Sequence, residues 1–322
     1  MTCRALYRNE SVGRRCCNGG HVTSEISVHV QMEVENEKEV DFCVVGCCVV
    51  LQVISPLVAL ADGEVPPTWN NIPVAPGGAA YDPSIPVPQE QIRALQEKLA
   101  LAKRIQELVN AGYSVEEIRN IMHMPRLFPY VKGSALASRS DDSAWCYMQI
   151  WKEPEDQPNW CGPGSGKAVL SNWKIPPSMA YLANEAPRPC HDGSCKGMMT
   201  GSVTYASDWT YIVNHQIGYT WYAMTNPNGL GAYKYYLKLD ISWYGHPVNN
   251  VVDTWKLPGW GTYRTHHYLA ANQYIFSSDL IHYGDTASNS ASPNGNPFGW
   301  HWWSLSSFYN TNVVWAYNLI IW

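Results

Sequence analysis

Charge is scarce in this chain. Charged residues make up 15% of 322 positions, against roughly 25% in an average soluble domain. The 22 Lys and Arg are outnumbered by 27 Asp and Glu, giving a net charge of −5. No basic excess exists to neutralise a phosphate backbone, so a nucleic-acid partner is not expected. Phenylalanine is nearly missing, with 5 residues beside 15 Trp and 20 Tyr. The chain therefore prefers aromatic rings that carry a polar handle, suited to half-wet clefts and sheet faces. No repeat of solenoid period is present. Hydrophobic residues at 46% exclude a disordered chain, and the length fits about two domains or one large domain with appendages.

Composition divides the chain. Phe42 to Leu60 is apolar apart from Gln52, Ser55 and Pro56, and ends in Ala59-Leu60-Ala61. A short apolar core closed by small residues reads as a secretory signal, which makes residues 1–61 a leader and the mature protein secreted or extracellular. The alternative is a membrane anchor facing outside, since the run is long enough to span. The flank before it, with Glu33, Glu35, Glu37, Glu39 and Asp41 against Lys38, departs from the positive charge that a signal prefers.

Residues 62–140 read as a Pro-rich linker followed by a helical hairpin. Seven prolines lie between Asp62 and Pro88. From Gln89 to Val109, Ile92, Leu95, Leu99, Leu101, Ile105 and Leu108 recur at helical spacing with no Pro or Gly among them. Ser114 and Glu117 form a capping box for a second helix running to about Met122. This hairpin stands where an inhibitory pro-segment would, with a small packing subdomain as the alternative.

Residues 141–322 hold 30 of the 35 Trp and Tyr and read as short alternating runs. Strands are expected at 203–205, 218–224, 247–252, 267–276, 280–283 and 313–321, with a helix over 163–173. Helices early and strands late predict an α+β fold.

Chemistry gathers at Asn159-Trp160-Cys161-Gly162-Pro163. Pro163 suits a first helical turn, which sets Cys161 at a helix N-terminus, where the dipole favours a thiolate. The competing reading makes Cys161 half of a disulfide, with Cys146 as partner. A base must come from elsewhere in the chain. His266-His267-Tyr268 opens a strand after Gly259-Trp260-Gly261, and alternation sends the two imidazoles to opposite faces. Asp285 ends the following run, placed to fix the tautomer of a neighbouring histidine.

Trp160-Cys161-Gly162-Pro163, Gly245-x-Pro247-Val248, His267-Tyr268 and Asp285, in that order, resemble the secreted papain-like cysteine peptidases related to bacteriocin-processing peptidases. The resemblance covers about 144–322. It implies a catalytic helix on an antiparallel sheet, with Cys161 as nucleophile, His267 as general base and Asp285 as its orienter. It also implies a Gln before the Cys as oxyanion donor, for which Gln157 and Gln149 are the candidates. The expected reaction is hydrolysis of a peptide or protein substrate through an acyl-enzyme, with no cofactor. The alternatives are an inactive papain-like module binding peptide or cell-wall glycan at the cell surface, and a related amidase or acyltransferase.

Cys190-His191-Asp192-Gly193-Ser194-Cys195 reads as a disulfide closing a tight turn. A metal held with His191 and Asp192 is the poorer alternative, because four adjacent residues seldom surround one ion.

Overall fold

The computed structural model describes residues 78–122, 142–148, 153–190, 192–288 and 295–322, preceded by two short strands. Those two, β1 (Leu6–Tyr7) and β2 (Val30–Gln31), pair antiparallel in a unit spanning Met1–Ala59. The rest, Leu60–Trp322, forms a second unit of mixed helix and sheet, an α+β arrangement. The leader run from Phe42 to Ala61 and the candidate Gln149 lie outside the described residues. Among the described residues no helix is long and apolar enough to cross a membrane.

The main sheet is built on β8 (Val248–Asp253), β9 (His266–Ile275) and β10 (Leu280–Asp285). These pair antiparallel in sequence order, and β11 (Gly299–Ser304) continues the sheet beyond β10. On the other side β8 meets β12 (Ile320–Ile321), which pairs with β7 (Met224–Thr225). A further short strand, β4 (Ser143–Trp145), also pairs with β9. The β9–β10 register shifts between His282 and Tyr283, leaving Asn272 unmatched. Asn272 occupies itself there, donating to Cys146 O at 3.1 Å and accepting from His282 Nδ1 at 2.8 Å.

Alternation gives the sheet two apolar faces. Val252, Leu269, Ala271 and Tyr283 belong to one cluster, while Val251, Tyr268, Ala270 and Ile321 belong to another. The first face is packed by the helical turns Lys238–Tyr244 and Phe308–Val313, through Leu239, Ile241, Phe308 and Val313, and the hairpin α1 (Gln89–Asn110) and α2 (Val115–Ile121) extends that cluster through Ala102, Ile105, Leu108 and Ile118. The second is covered by α3 (Cys161–Leu170), α4 (Met179–Asn184) and α5 (Ala206–Ile217). A three-stranded sheet, β3 (Gly78–Ala80), β6 (Val203–Tyr205) and β5 (Met199–Thr200), flanks this second side. The capping box of α2 is complete, with Glu117 N–H donating to Ser114 Oγ and Ser114 N–H donating to Glu117 Oε2.

This packing bears on the hairpin. The face that α1 buries carries Ala94, Lys98, Ala102, Ile105 and Leu108, with Leu99 and Leu101 of the expected stripe exposed. Ala102, Ile105 and Leu108 belong to the cluster opposite α3, and Lys98 is buried in an ion pair with Asp240, 3.0 Å away. The element of the N-terminal region that accompanies Cys161 is instead β3, whose Ala79 shares the cluster of Cys161. The hairpin thus belongs to the cluster on the side of the sheet away from Cys161.

Several boundaries differ from expectation. The 218–224 run is mostly loop, ending in β7, because Asn214 of α5 caps it by accepting from the Trp221 and Tyr222 N–H groups. The 313–321 run starts inside a π-helical turn, Phe308–Val313, and only β12 is strand. Helical segments that were not foreseen include α4, α5 and the run of α6 (Leu230–Leu237) into a π-helical turn at Lys238–Tyr244.

Candidate active site

Cys161 is the first residue of α3 and is 1% exposed. The glycines beside it let the helix approach its surroundings closely. A Cβ on Gly162 would stand 2.3 Å from Thr204 Oγ1, and one on Gly164 would stand 2.5 Å from Thr286 Oγ1. The first turn of α3 is thereby wedged between β6 and the residue that follows β10.

Burial pushes the Cys161 thiol well above its ordinary range, and an ionised Glu155 would push it further. The backbone N–H groups of Tyr268 and Gly162 work the other way, and the Asp285 carboxylate again raises it. The helix N-terminus therefore does not by itself yield the thiolate that the sequence reading anticipated. Desolvation in a closed site works against the dipole, in favour of the thiol. Cys146 is also a buried cysteine, and the two are not disulfide-bonded to each other.

His267 is 3% exposed and its Nε2 donates to Asp285 Oδ1 at 2.8 Å. Nδ1, on the other side of the ring, is left for another partner. Asp285 is fully buried and accepts twice more, from Ala287 N–H at 2.8 Å and from Trp260 Nε1 at 2.8 Å. The Trp260 ring centroid lies 5.0 Å from that of His267. Trp260 thus walls the imidazole and holds its carboxylate together. The sequence reading used Gly259-Trp260-Gly261 only as a turn; the buried tryptophan inside it is the residue it missed. Gly259 carries φ +78, and a Cβ there would meet Pro297 Cα at 2.5 Å, so this turn can close only on glycine. His266 turns elsewhere, its Nδ1 lying 3.0 Å from the Tyr317 hydroxyl.

The structure joins His267 to Asp285 and sets the Cys161 sulfur against the backbone of the residue after His267. Gln157 is not brought in. Its side chain is exposed, on the turn that precedes Trp160. The buried polar side chain on this segment is Glu155, 4% exposed. Nothing in the sequence reading marked it, although its six-residue separation from Cys161 allows a loop that the four residues from Gln157 do not.

At the second cysteine pair, Cys190 and Cys195 are disulfide-bonded. Asp192 is engaged by Arg188 Nη2 and by Thr200 Oγ1, each at 2.7 Å, which holds its carboxyl well below the usual range. His191 lies outside the described residues, and among those described no cluster could hold a metal ion. In comparisons with known proteins, no family model, no curated protein and no solved structure matches the chain.

Proposed function

We propose that this chain is a papain-like cysteine peptidase of the cell exterior, acting on a peptide or protein through an acyl-enzyme. The observation that supports it most is the His267–Asp285 pair at 2.8 Å, enclosed by Trp260, at the end of the strand against which the Cys161 sulfur rests. A histidine whose Nε2 is committed to a buried carboxylate has its tautomer fixed and presents Nδ1 as a base. A purely binding module has no use for that arrangement.

In this reading His267 Nδ1 takes the thiol proton as Cys161 attacks the carbonyl. The imidazolium, stabilised by Asp285, protonates the departing amine, and water then releases the acyl group from sulfur. Because the thiol is 1% exposed, substrate entry requires that the cover over the first turn of α3 move aside. The related amidase chemistry uses the same groups and differs only in the acyl donor.

The test is hydrolysis of fluorescently labelled casein by the chain and by its Cys161→Ser and His267→Ala variants. The reading expects turnover that both substitutions abolish while each variant still unfolds cooperatively. Turnover that survives Cys161→Ser would overturn it.

A further inference from the structure

Glu155 sits where an acid is unexpected. Its backbone N–H donates to Thr286 O at 2.7 Å, tying it to the strand end that carries Asp285. Its Oε1 lies 3.5 Å from Thr286 Oγ1, while Oε2 is buried with no hydrogen-bond partner. The position where Gly164 would carry a Cβ is 3.4 Å from Glu155 Cγ, so the carboxyl stem rests on the first turn of α3, the turn that Cys161 begins.

The charged groups around it are themselves acidic or already engaged. Asp285 faces it from β10, with His267 of β9 bound to that carboxylate, and Cys161 faces it from α3. Lys167, the cation of α3, is paired with Glu153. Burial, and then the Asp285 charge, raise the Glu155 carboxyl well above its ordinary range, against weaker pulls from Thr286 Oγ1 and the Trp160 N–H. An ionised Glu155 would repel both a thiolate and any oxyanion formed on it. A neutral one offers an O–H in the place where an amide side chain would offer an N–H.

Resting on the cysteine-peptidase reading, we propose that Glu155 serves that reaction as a neutral carboxylic acid, donating its O–H to the oxyanion that forms when Cys161 attacks a carbonyl. The sulfur–carbon bond forms and the carbonyl pair moves to oxygen, which accepts from Glu155 and from the Cys161 backbone N–H at the start of α3. No proton changes owner at Glu155. When the intermediate collapses the pair returns, the carbon–nitrogen bond breaks and the amine takes its proton from His267. The site is consequently gated by pH: deprotonating Glu155 removes a donor and adds a negative charge beside the sulfur.

The probe is a peptide aldehyde, acetyl-Leu-Leu-leucinal, which forms a tetrahedral adduct on a thiol without turnover. Its affinity is measured from about pH 5 to about pH 9, the span over which buried glutamates titrate, for the unmodified chain, Glu155→Gln and Glu155→Ala. The unmodified chain should lose affinity at least about tenfold toward high pH, Glu155→Gln should hold it, and Glu155→Ala should bind about 10²–10³-fold more weakly at low pH. Identical pH profiles for the unmodified chain and Glu155→Gln overturn the proposal. Glu155→Gln preserves the shape and decides the matter if the alanine chain fails to fold. Iodoacetamide labelling of Cys161 separates two kinds of failure. A Cys161 inert to both reagents in every chain overturns the peptidase reading and this proposal with it. A Cys161 that reacts, with an adduct indifferent to residue 155, overturns this proposal alone.

Discussion

Replacing Lys98 by Met removes one partner of the buried ion pair that ties the hairpin to the turn Lys238–Tyr244. Lys98 Nζ lies 3.0 Å from Asp240 Oδ1 and 4.4 Å from the ring centroids of both Trp221 and Trp322. Burial lowers Lys98 to about 8, with Asp240 opposing the shift. Burial raises Asp240 to about 6, with Lys98 opposing it. The raised Asp240 gives stability that is full below about 3.8 and lost as pH climbs through about 6. The lowered Lys98 gives stability that is full above about 10.5 and lost as pH falls through about 8. Between those two values both groups are charged, and burial opposes each charge more than the partner's attraction favours it. Lys98→Met keeps an apolar stem between the tryptophans but strands Asp240. Truncating one partner of a buried pair costs about 3–5 kcal/mol, or about 6–20 °C in Tm for a domain of this size. The lone carboxyl escapes by protonating, so the loss should be large at about pH 8 and small at about pH 5. Lys98→Met with Asp240→Leu should recover most of it. Urea unfolding followed by tryptophan fluorescence at both pH values measures each quantity. Equal losses at the two pH values, or a loss under about 1 kcal/mol at pH 8, would refute the reasoning.

Three other outcomes follow from the same structure. Trp260→Phe keeps the ring beside His267 but takes a donor from buried Asp285, and should lower unfolding free energy by about 1–3 kcal/mol in urea titration. A chain beginning at Pro88, which lacks β3 but retains the hairpin, should show faster iodoacetamide labelling of Cys161, whereas one beginning at Asp142 should aggregate because Tyr235, Leu239 and Trp243, which face α1, are bared. Equal labelling in the first case would mean that β3 does not cover the thiol. Reducing Cys190–Cys195 should cost only about 2 kcal/mol, since the loop it closes is short, and calorimetry with and without reductant reads the difference.

Local pattern carried much of the architecture. Gln89 to Val109 showed its helix because apolar residues recur on one face, and Ser114 with Glu117 marked the next helix through two hydrogen bonds within four residues. Runs rich in Val, Tyr and Ile gave β8, β9 and β10 to within a residue or two. Failures came where tertiary contacts rule. The 218–224 run has strand composition, yet Asn214 holds its backbone in a capped loop. In α5, Trp209, Ile212 and Val213 carry a helical period, but Tyr and Thr around them mask it. At the candidate site, Cys161, His267 and Asp285 stood out because each borders an element and belongs to a short motif. Glu155 and Trp260 did not, because their importance comes from burial against Thr286 and Asp285, which no local spacing records. The thiol's rise is of the same kind: the helix start is written in the sequence, but its enclosure between β6 and the end of β10 is not.

Coupling between the thiol and the imidazole is what the proposed chemistry requires above all, and the pH dependence of Cys161 alkylation measures it directly. Iodoacetamide labelling of the unmodified chain and of His267→Ala, across neutral and alkaline pH, should show a rate near neutrality that His267→Ala lowers at least about tenfold, with reactivity returning only in strong alkali as the buried thiol ionises unaided. Superimposable profiles for the two chains would mean that His267 does not act on Cys161, and the peptidase reading would fall.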